Sequence, residues 1–363
     1  MRQLIKKSHL SGHSLTRFNV LARMVSSILI KGRTELTEMA LNTNYSIQLA
    51  SRKKQFKRWL LNKHVSYEIY YLPYIEELLR CLAQSGQLVF SIDGSVVGKG
   101  CMCLMFSVIY KCRAIPVIWR VYKGKKGHLP ESAHREILAA LSKLVPSACR
   151  VVITGDGEFD GCDWQADILE QGWNYVLRTG KNAKIKDSFG EEFEPQQVCL
   201  SPGDDLFFEE IGFTKKNWRT NLLIWHGKGH KNPLYLVTNL DFTPQIKQFY
   251  KKRFKIEPFF RDLKSKGFHI QCSGLRDPKR LAKLLIAACL AYILCIMAHT
   301  KASKSKFYNL IDREDIDTLS LFQIGLRFIR KLVDLRQWRA FSWSRDIIPK
   351  PPPTIEYAFC VPF

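Results

Sequence analysis

The sequence predicts an α/β protein, and three observations on the order of its segments support this fold class. A basic stretch of helical character comes first and reaches about residue 85. Short apolar runs separated by polar turns follow from residue 87, a pattern that is typical of strands. Helical periodicity returns at about residue 244. The predicted units are therefore residues 1–85, 86–173, 174–243 and 244–340, followed by a Pro-rich tail at 341–363.

The first unit is predicted to be a bundle of basic helices. One apolar stripe recurs at helical spacing and consists of Phe18, Leu21, Ala22, Val25 and Leu29. A later helix is predicted after Asn44 and Ser46, which are residues that commonly cap helices. It carries a cluster of cations interleaved with aromatic residues: Arg52, Lys53, Lys54, Lys57 and Arg58. A helix-turn-helix-like bundle would place this helix against DNA. The alternative is a solvated basic helix.

The second unit begins with apolar runs that predict strands at 88–93, 101–110, 115–121 and 150–156. A helix is predicted at 130–144, before the last of these strands. No Gly-x-Gly-x-x-Gly or Walker-type loop follows any strand, so the sequence does not favour nucleotide binding. The third unit, 174–243, shows strand signals separated by polar turns and is predicted to be a β-rich insertion. Helices are predicted to dominate the fourth unit.

The charge of the chain is large and unevenly distributed. The 363 residues carry a formal net charge of +23, which favours a polyanionic partner, most simply nucleic acid. Residues 1–85 hold 14 Lys and Arg against 5 Asp and Glu, and residues 246–283 hold 12 against 3, so each segment carries +9. A basic but inert protein gives no reason for this concentration of charge in two segments.

Cysteine usage and hydropathy indicate which cellular compartment is expected for the protein. Eleven cysteines occur without a Cys-x-x-Cys pair, which favours a reducing cytosol over secretion. The residues after Met1 show no signal-peptide core. The longest apolar run, 284–298, has 15 residues, and this is shorter than the roughly 20 residues that span a bilayer. A buried helix is therefore expected there.

Four residues in the second basic segment fall on one side of a predicted helix: Tyr250, Arg253, Glu257 and Lys264. Their offsets of 3, 7 and 14 residues from the tyrosine place them within about 60° of each other on a helix. The carboxylate can ligate a metal ion, and the other groups can bind phosphate oxygens. Pro258 disfavours helix at Glu257, so the helix is expected to kink or restart there with the proline in its first turn. The alternative is a solvated, charged face.

Two aspartates could join Glu257 in one site. Asp93 and Asp156 each end a predicted strand and are each followed by glycine, which leaves the carboxylate accessible. Oxygen ligands of this kind can hold two divalent cations about 3.5–4 Å apart for phosphoryl transfer. The alternative for either aspartate alone is a turn former. Further carboxylates compete with Asp156, namely Glu158, Asp160 and Asp163.

With these residues in place, the chain resembles bacterial insertion-sequence transposases of the DDE class. The resemblance is to the group with a Tyr-x2-Arg-x3-Glu-x6-Lys signature, the IS-four family, and runs from about residue 87 to about residue 330. It implies an RNase H-like mixed-sheet catalytic core, interrupted by a β-strand insertion. It also implies that Asp93, Asp156 and Glu257 are the catalytic, metal-binding residues. The expected cofactor is Mg²⁺, as two ions, and Mn²⁺ is expected to substitute.

The resemblance also gives expectations for DNA contacts. Tyr250, Arg253 and Lys264 would bind phosphates near the transferred DNA end, which makes the tyrosine a phosphate contact and not a nucleophile. A family member that forms DNA hairpins has a strand tryptophan in the insertion that receives a flipped base. Here Tyr235 stands near that position, and Trp225 and Trp218 are the other candidates for base stacking.

The sequence therefore predicts a cut-and-paste DNA transposase. Residues 1–85 would bind the terminal inverted repeats, activated water would nick the strand, and the freed 3′-hydroxyl would attack target DNA. A dimer on double-stranded DNA, without a membrane, in the bacterial cytoplasm at the nucleoid is expected. The alternatives are an RNase H-like nuclease or resolvase without strand transfer, and a catalytically inactive DNA-binding relative. A basic structural or RNA-associated protein would explain the charge but not the four-residue spacing.

Overall fold

The computed structural model describes residues 12–41, 47–124, 129–303, 305, 308–312 and 319–335. The predicted tail, 341–363, and the predicted capping residues Asn44 and Ser46 lie outside the described residues. Everything stated below about structure concerns the described part of the chain.

The first unit is helical, as the sequence predicts. Its helices are α1 (Gly12–Lys31), α2 (Leu36–Leu41), α3 (Leu49–Leu61), α4 (Tyr67–Tyr70) and α5 (Leu72–Ala83). The predicted stripe of α1 faces the interior: Phe18, Leu21, Val25 and Leu29 are buried, and Ala22 is half-buried. The apolar face thus covers a core while the cations of α3 stay outside.

These helices pack against the following unit. The Tyr71 hydroxyl donates to the Pro116 carbonyl at 2.6 Å, and the Tyr71 ring lies 4.8 Å from the Trp119 ring. The Lys283 ammonium donates to the Asn62 carbonyl at 2.7 Å. The N-terminal helices therefore share buried surface with the sheet and with a C-terminal helix.

The central unit is a mixed sheet. Its strands are β1 (Gln87–Gly98), β2 (Cys101–Tyr110), β3 (Arg113–Lys123), β4 (Arg150–Gly155) and β5 (Asn174–Arg178), in the order β3-β2-β1-β4-β5. The first three strands are antiparallel, whereas β4 and β5 run parallel to β1. Parallel neighbours need crossover connections, and these contain α6 (Glu131–Ser142) and α7 (Cys162–Glu170). The predicted α/β fold class, with a mixed sheet and helices at both ends, is confirmed.

The insertion extends this sheet. Strands β6 (Ile185–Lys186), β7 (Glu192–Phe193), β8 (Asp205–Phe213), β9 (Trp218–Trp225) and β10 (Leu234–Thr238) continue it in the order β5-β10-β9-β8-β6-β7, which gives ten strands. β5 falls inside the predicted insertion of 174–243, yet it pairs with β4 of the core. Strand patterns identify a strand but not its neighbour, so the sequence could not assign β5 to the core.

The C-terminal helices are α8 (Gln245–Arg253), α9 (Ile256–Leu263), α10 (Pro278–Ala302) and α11 (Leu321–Asp334). The helix restarts as predicted, with Pro258 in the first turn of α9. α10 is long and apolar enough to cross a membrane by length and composition, but 67% of its most apolar window is buried inside the protein. The buried helix expected from the sequence is therefore observed. The thiols of Cys101 and Cys103 are free and buried.

Candidate active site

Asp93 lies inside β1, which corrects the prediction that it ends a strand. β1 pairs with β2 as far as Gly98 but with β4 only as far as Ser91. Asp93 therefore stands where the pairing with β4 has ended but the pairing with β2 continues. The glycine that follows it makes no turn, since Gly94 continues the strand and pairs with Leu104.

Asp156 follows β4 directly, as predicted, and takes the position equivalent to Asp93 on the neighbouring strand. Ser91 and Thr154 form the last pair of the parallel β1–β4 ladder, and each aspartate comes two residues later. Neighbouring strands lie about 4.8 Å apart, so this register brings the two carboxylates side by side. The Asp156 Oδ1 also accepts from the Glu158 backbone N–H at 3.1 Å, which fixes its orientation.

Glu257 reaches this site from α9, and Arg253 links it to Asp156. One guanidinium nitrogen of Arg253 lies 3.1 Å from Glu257 Oε1, and the other lies 3.9 Å from Asp156 Oδ2. The Arg253 side chain is only 7% exposed, whereas that of Glu257 is 54% exposed. The Ser91 hydroxyl donates to the Arg253 carbonyl at 3.2 Å, which ties the end of α8 to β1.

The electrostatics of Asp93 show that the three carboxylates share one environment. Burial raises the pKa of the Asp93 carboxyl to about 7, and the neighbouring charges of Asp156 and Glu257 add to this increase. Arg253 and the Gly94 N–H oppose it, the latter by donating to Asp93 Oδ1 at 2.8 Å. Converging acidic groups whose ionisation is unfavourable are stabilised by a bound cation.

The donor set fits a hard divalent cation, because it consists of carboxylate oxygens from three different elements. Within the described ranges, no group of three or more His, Cys, Asp or Glu side chains lies close enough together to hold a metal ion as they stand. Arg253 instead supplies the positive charge between Asp156 and Glu257. The fold thus assembles the ligands that the sequence predicts without closing them around one point.

Tyr250 is placed differently from a surface phosphate contact. It is fully buried in α8, and the Arg253 guanidinium lies 5.9 Å from the centre of its ring. Burial raises the pKa of the Tyr250 phenol, while the Arg253 and Arg178 cations lower it. A buried phenol beside Arg253 supports the guanidinium from within the fold, and its contact with phosphate stays a prediction.

Lys264 caps the end of α9 and comes back to β1. Its ammonium donates to the Ser95 hydroxyl at 2.6 Å. Ser95 is two residues from Asp93 and therefore points to the same face of the strand. Lys264 thus lies against the face of β1 that carries Asp93, two residues further along the strand, although α8 and α9 are separate helices.

The cations of α3 belong to another part of the molecule. In the described chain, no hydrogen bond or ion pair joins them to the carboxylates. Arg52 donates to the Ala40 carbonyl at 2.8 Å and so holds the end of α2. The other predicted DNA contacts on this helix are exposed: Lys53, Lys54, Lys57 and Arg58.

The aromatic candidates of the insertion differ in accessibility. Trp225 is 8% exposed, and the Lys251 ammonium lies 5.2 Å from its ring. Trp218 donates its indole N–H to Gln165 Oε1 at 3.1 Å, which anchors β9 to α7. Tyr235 is half-buried in β10, two strands from β4. Trp218 and Tyr235 are both half-buried and Trp225 is buried, and base stacking by Tyr235 or Trp225 stays a prediction.

Two of the competing carboxylates are occupied elsewhere. Asp160 Oδ2 accepts from the Thr179 hydroxyl at 2.7 Å, and Asp163 pairs with Lys216 at 2.7 Å. Glu158 lies near β1 but on its other face, because a Cβ added at Gly94, which faces away from the Asp93 side of the strand, would lie 3.8 Å from its Oε2. Its Oε1 accepts from the Leu129 N–H at 3.0 Å.

The sequence reasoning missed Arg178 and Ser95. Arg178 is the last residue of β5, which runs parallel to β4, and its positive charge lowers the pKa of the Tyr250 phenol. The strand-end pattern that singled out Asp156 applies equally to Arg178, so a signal was present. No sequence pattern singles out Ser95, because its contact with Lys264 depends on where α9 ends in the fold.

Comparison with known proteins indicates a class of protein to which this chain is similar. Residues 128–294, just under half of the chain, match a family model described as "Transposase DDE domain". The matched segment contains Asp156, Glu257 and the basic residues around them, and Asp93 precedes it. No curated protein matches the sequence. The match supports a DDE-type transposase as the class to which this protein is similar.

A structural similarity covers more of the chain. The piggyBac transposase synaptic complex with hairpin DNA, determined by cryo-electron microscopy, aligns with a TM-score of 0.46 and 13% sequence identity. The alignment covers 94% of this chain and 78% of that chain.

Proposed function

We propose that this protein is a DNA transposase that cuts and rejoins DNA in a metal-dependent reaction. The observation that carries the proposal is the convergence of Asp93, Asp156 and Glu257 around Arg253 at the end of the β1–β4 ladder. A transposase DDE domain match over residues 128–294 supports it. We assign the chain to the IS-four group because Tyr250, Arg253, Glu257 and Lys264 keep its spacing.

Each residue then has a defined task. Asp93, Asp156 and Glu257 would hold Mg²⁺, or Mn²⁺ in its place, as two ions. When bound, the metal supplies Lewis acidity and lowers the pKa of water. Arg253 and Lys264 would orient the phosphate that is cut, since Arg253 lies at the carboxylates and Lys264 is held by Ser95 on the same face of β1 as Asp93. Tyr250 supports Arg253 from the buried side.

The substrate is double-stranded DNA, first the terminal inverted repeats of the element and then target DNA. The exposed cations of α3 would contact the repeats, which is consistent with the net charge of +23. Because two ends must be joined, we propose a dimer on DNA. The proposed location is the bacterial cytoplasm, at the nucleoid.

Glu257→Gln tests the proposal most directly. The substitution keeps the shape of the side chain and removes the charge, so metal-dependent cutting should fall by roughly 10³-fold or more while DNA affinity stays similar. The assay measures Mg²⁺-dependent cleavage of DNA carrying the inverted repeats that flank the coding region. Glu209→Gln is the matched control, because Glu209 is an exposed carboxylate on β8.

The outcomes separate the proposal from its rivals. Cleavage by the wild type that leaves 3′-hydroxyls and joins them to target DNA supports a transposase. Cleavage without joining would instead indicate a nuclease or resolvase. Specific binding without cleavage would indicate an inactive DNA-binding relative, and equal cleavage by wild type and Glu257→Gln would remove Glu257 from the active site. A covalent Tyr250–DNA adduct would contradict hydrolysis by water.

A further inference from the structure

A cavity of about 540 Å³ lies between the N-terminal helices and the core. On one side it is lined by Lys53 of α3 and by Glu35, which precedes α2. On the other side it is lined by the segment that leads into α10, including Arg276, Asp277 and Arg280. We call these three cations, Lys53, Arg276 and Arg280, the junction cations.

The cavity lining carries three cations against the two carboxylates of Glu35 and Asp277, and this positive excess favours an anion. Asp277 already caps α10, since its Oδ1 accepts from the Arg280 backbone N–H at 3.0 Å. Among the described residues, no ion pair involves a junction cation. The Arg280 Nε is also buried without a hydrogen-bond partner in the described part of the chain. A buried donor without an acceptor is costly, and an anionic ligand would remove this cost.

The junction cations come from the two basic segments of the sequence. Lys53 belongs to residues 1–85 and the two arginines belong to residues 246–283, and each of these segments carries a net charge of +9. The fold brings the two segments together at this cavity. These two segments hold most of the positive excess of the chain, and such an extended excess favours a repeatedly charged ligand such as a nucleic-acid backbone over a small anion.

The position relative to the candidate active site also fits a duplex. A Cβ added at Gly98 would lie 3.2 Å from the Leu275 carbonyl, and the Cys101 thiol lies 3.5 Å from the Arg276 carbonyl. The cavity thus adjoins the end of β1, five residues after Asp93. Five residues of strand span at most about 17 Å, which equals about five base pairs of duplex. Lys264, held by Ser95, lies along the same strand.

We propose that Lys53, Arg276 and Arg280 bind the sugar–phosphate backbone of duplex DNA about five base pairs from the cleaved position. This inference rests on the proposed function, because it takes the same DNA as its ligand. The arginines can form paired hydrogen bonds to phosphate oxygens, and the lysine adds a point charge. Contacts from both units at one site would fix the N-terminal helices relative to the cut.

The test compares the full-length wild type with Lys53→Gln/Arg276→Gln/Arg280→Gln. The control is Arg80→Gln/Lys143→Gln/Arg150→Gln, which removes the same charge from exposed residues near the opposite end of β1 and β4. Fluorescence anisotropy measures affinity for a duplex carrying one terminal repeat over a range of NaCl concentrations. Thermal unfolding checks that each variant is folded, and Lys53→Gln and Arg276→Gln alone serve if the triple variant is not.

The junction variant should bind roughly 10- to 100-fold more weakly at low salt, and its slope of log affinity against log salt should be smaller by about 2 to 3. Each single variant should lower the slope by about 1. The control should keep the wild-type slope. An unchanged slope in the junction variant, or an equal change in the control, would overturn the inference.

Two further outcomes keep this inference distinct from the proposed function. If the wild type cuts and joins DNA while the junction variant binds with an unchanged slope, only the junction site is wrong. If the wild type binds no DNA, both proposals fall. A titration with inorganic phosphate tests whether the cavity binds a small anion instead. If the junction substitutions abolish saturable phosphate binding but leave the affinity for DNA unchanged, the cavity is a small-anion site and the proposed DNA contact is overturned.

Discussion

Arg253 shows how one residue can organise a site that carries three acidic groups. Its guanidinium contacts Asp156 and Glu257 directly and lowers the pKa of Asp93. The Tyr250 and Phe254 rings flank it, with centres 5.9 and 4.6 Å from its central carbon. Because the side chain is enclosed, its position is fixed before any ligand binds, and this preorganisation favours electrostatic catalysis.

Asp262 illustrates the opposite case, a charged residue with a structural task. In the fold it is buried and lies 3.3 Å from the Arg113 guanidinium at the start of β3. Burial raises the pKa of Asp262 to about 6, although Arg113 and Arg261 lower it. The ion pair therefore joins α9 to the sheet at a cost in desolvation.

This pair makes stability depend on pH. The folded protein holds a proton on Asp262 up to about pH 6, whereas the unfolded chain releases it near pH 4. Folded protein thus binds more protons within this window, so the free energy of unfolding falls as pH rises through it, by at most about 3 kcal/mol. Asp262→Asn cannot titrate and should remove this fall, although it weakens the Arg113 contact.

Urea unfolding between pH 4.5 and 7 measures this effect. The difference in unfolding free energy between Asp262→Asn and wild type should rise with pH in favour of the variant. Asp241→Asn, at an exposed position, provides the control and should show a constant difference. A constant difference for Asp262→Asn as well would mean that Asp262 is ionised throughout.

At the scale of elements, strand β1 positions the candidate site. Ser91, Asp93 and Ser95 alternate onto one face of the strand. Ser91 holds the end of α8 through the Arg253 carbonyl, and Ser95 holds Lys264 at the end of α9. Asp93 lies between these two attachments. The break between α8 and α9 is therefore compatible with one site, because both helix ends are fixed to the same strand.

A double-mutant cycle on Ser95→Ala and Lys264→Ala tests this attachment. Loss of the hydroxyl should slow DNA cleavage about fivefold, which corresponds to about 1 kcal/mol of hydrogen-bond energy. Lys264→Ala should be slower still, and the double variant should be no slower than Lys264→Ala. Single-turnover cleavage rates are measured, with Ser142→Ala on α6 as the control. Additive effects would show that Ser95 does not act through Lys264.

At the scale of the whole molecule, the N-terminal helices are part of one packed structure. Tyr71 is buried against Trp119 of β3, and Lys283 of α10 reaches Asn62. Several large apolar residues of these helices are fully buried, including Phe18, Phe56 and Tyr70. The helices that carry the exposed cations of α3 and the candidate active site are therefore coupled by packing, in contrast to units joined only by a flexible linker.

Removal of residues 1–85 should consequently disrupt the remainder. The truncated chain would expose the apolar surfaces of β3 and α10 that these helices cover, so we expect it to lose its cooperative unfolding transition. Differential scanning calorimetry of the truncated and full-length chains measures this. A truncated protein that unfolds cooperatively near the wild-type temperature would show that the N-terminal helices form an independent domain.

The sequence by itself determined the local features of this protein. Hydrophobic periodicity located α1 and β4, Pro258 predicted the restart of the helix, and the charge distribution identified two basic segments. These features depend on residues that are close along the chain, and for that reason they can be derived from spacing alone.

Tertiary structure decided how distant residues meet. The register of β1 with β4 places Asp93 beside Asp156, β5 joins the core, and Ser95 receives Lys264. Tyr250 is buried for the same reason, since helical spacing fixes a face but not what covers it. Such relations depend on contacts between residues far apart in the chain, which strand and helix patterns do not encode.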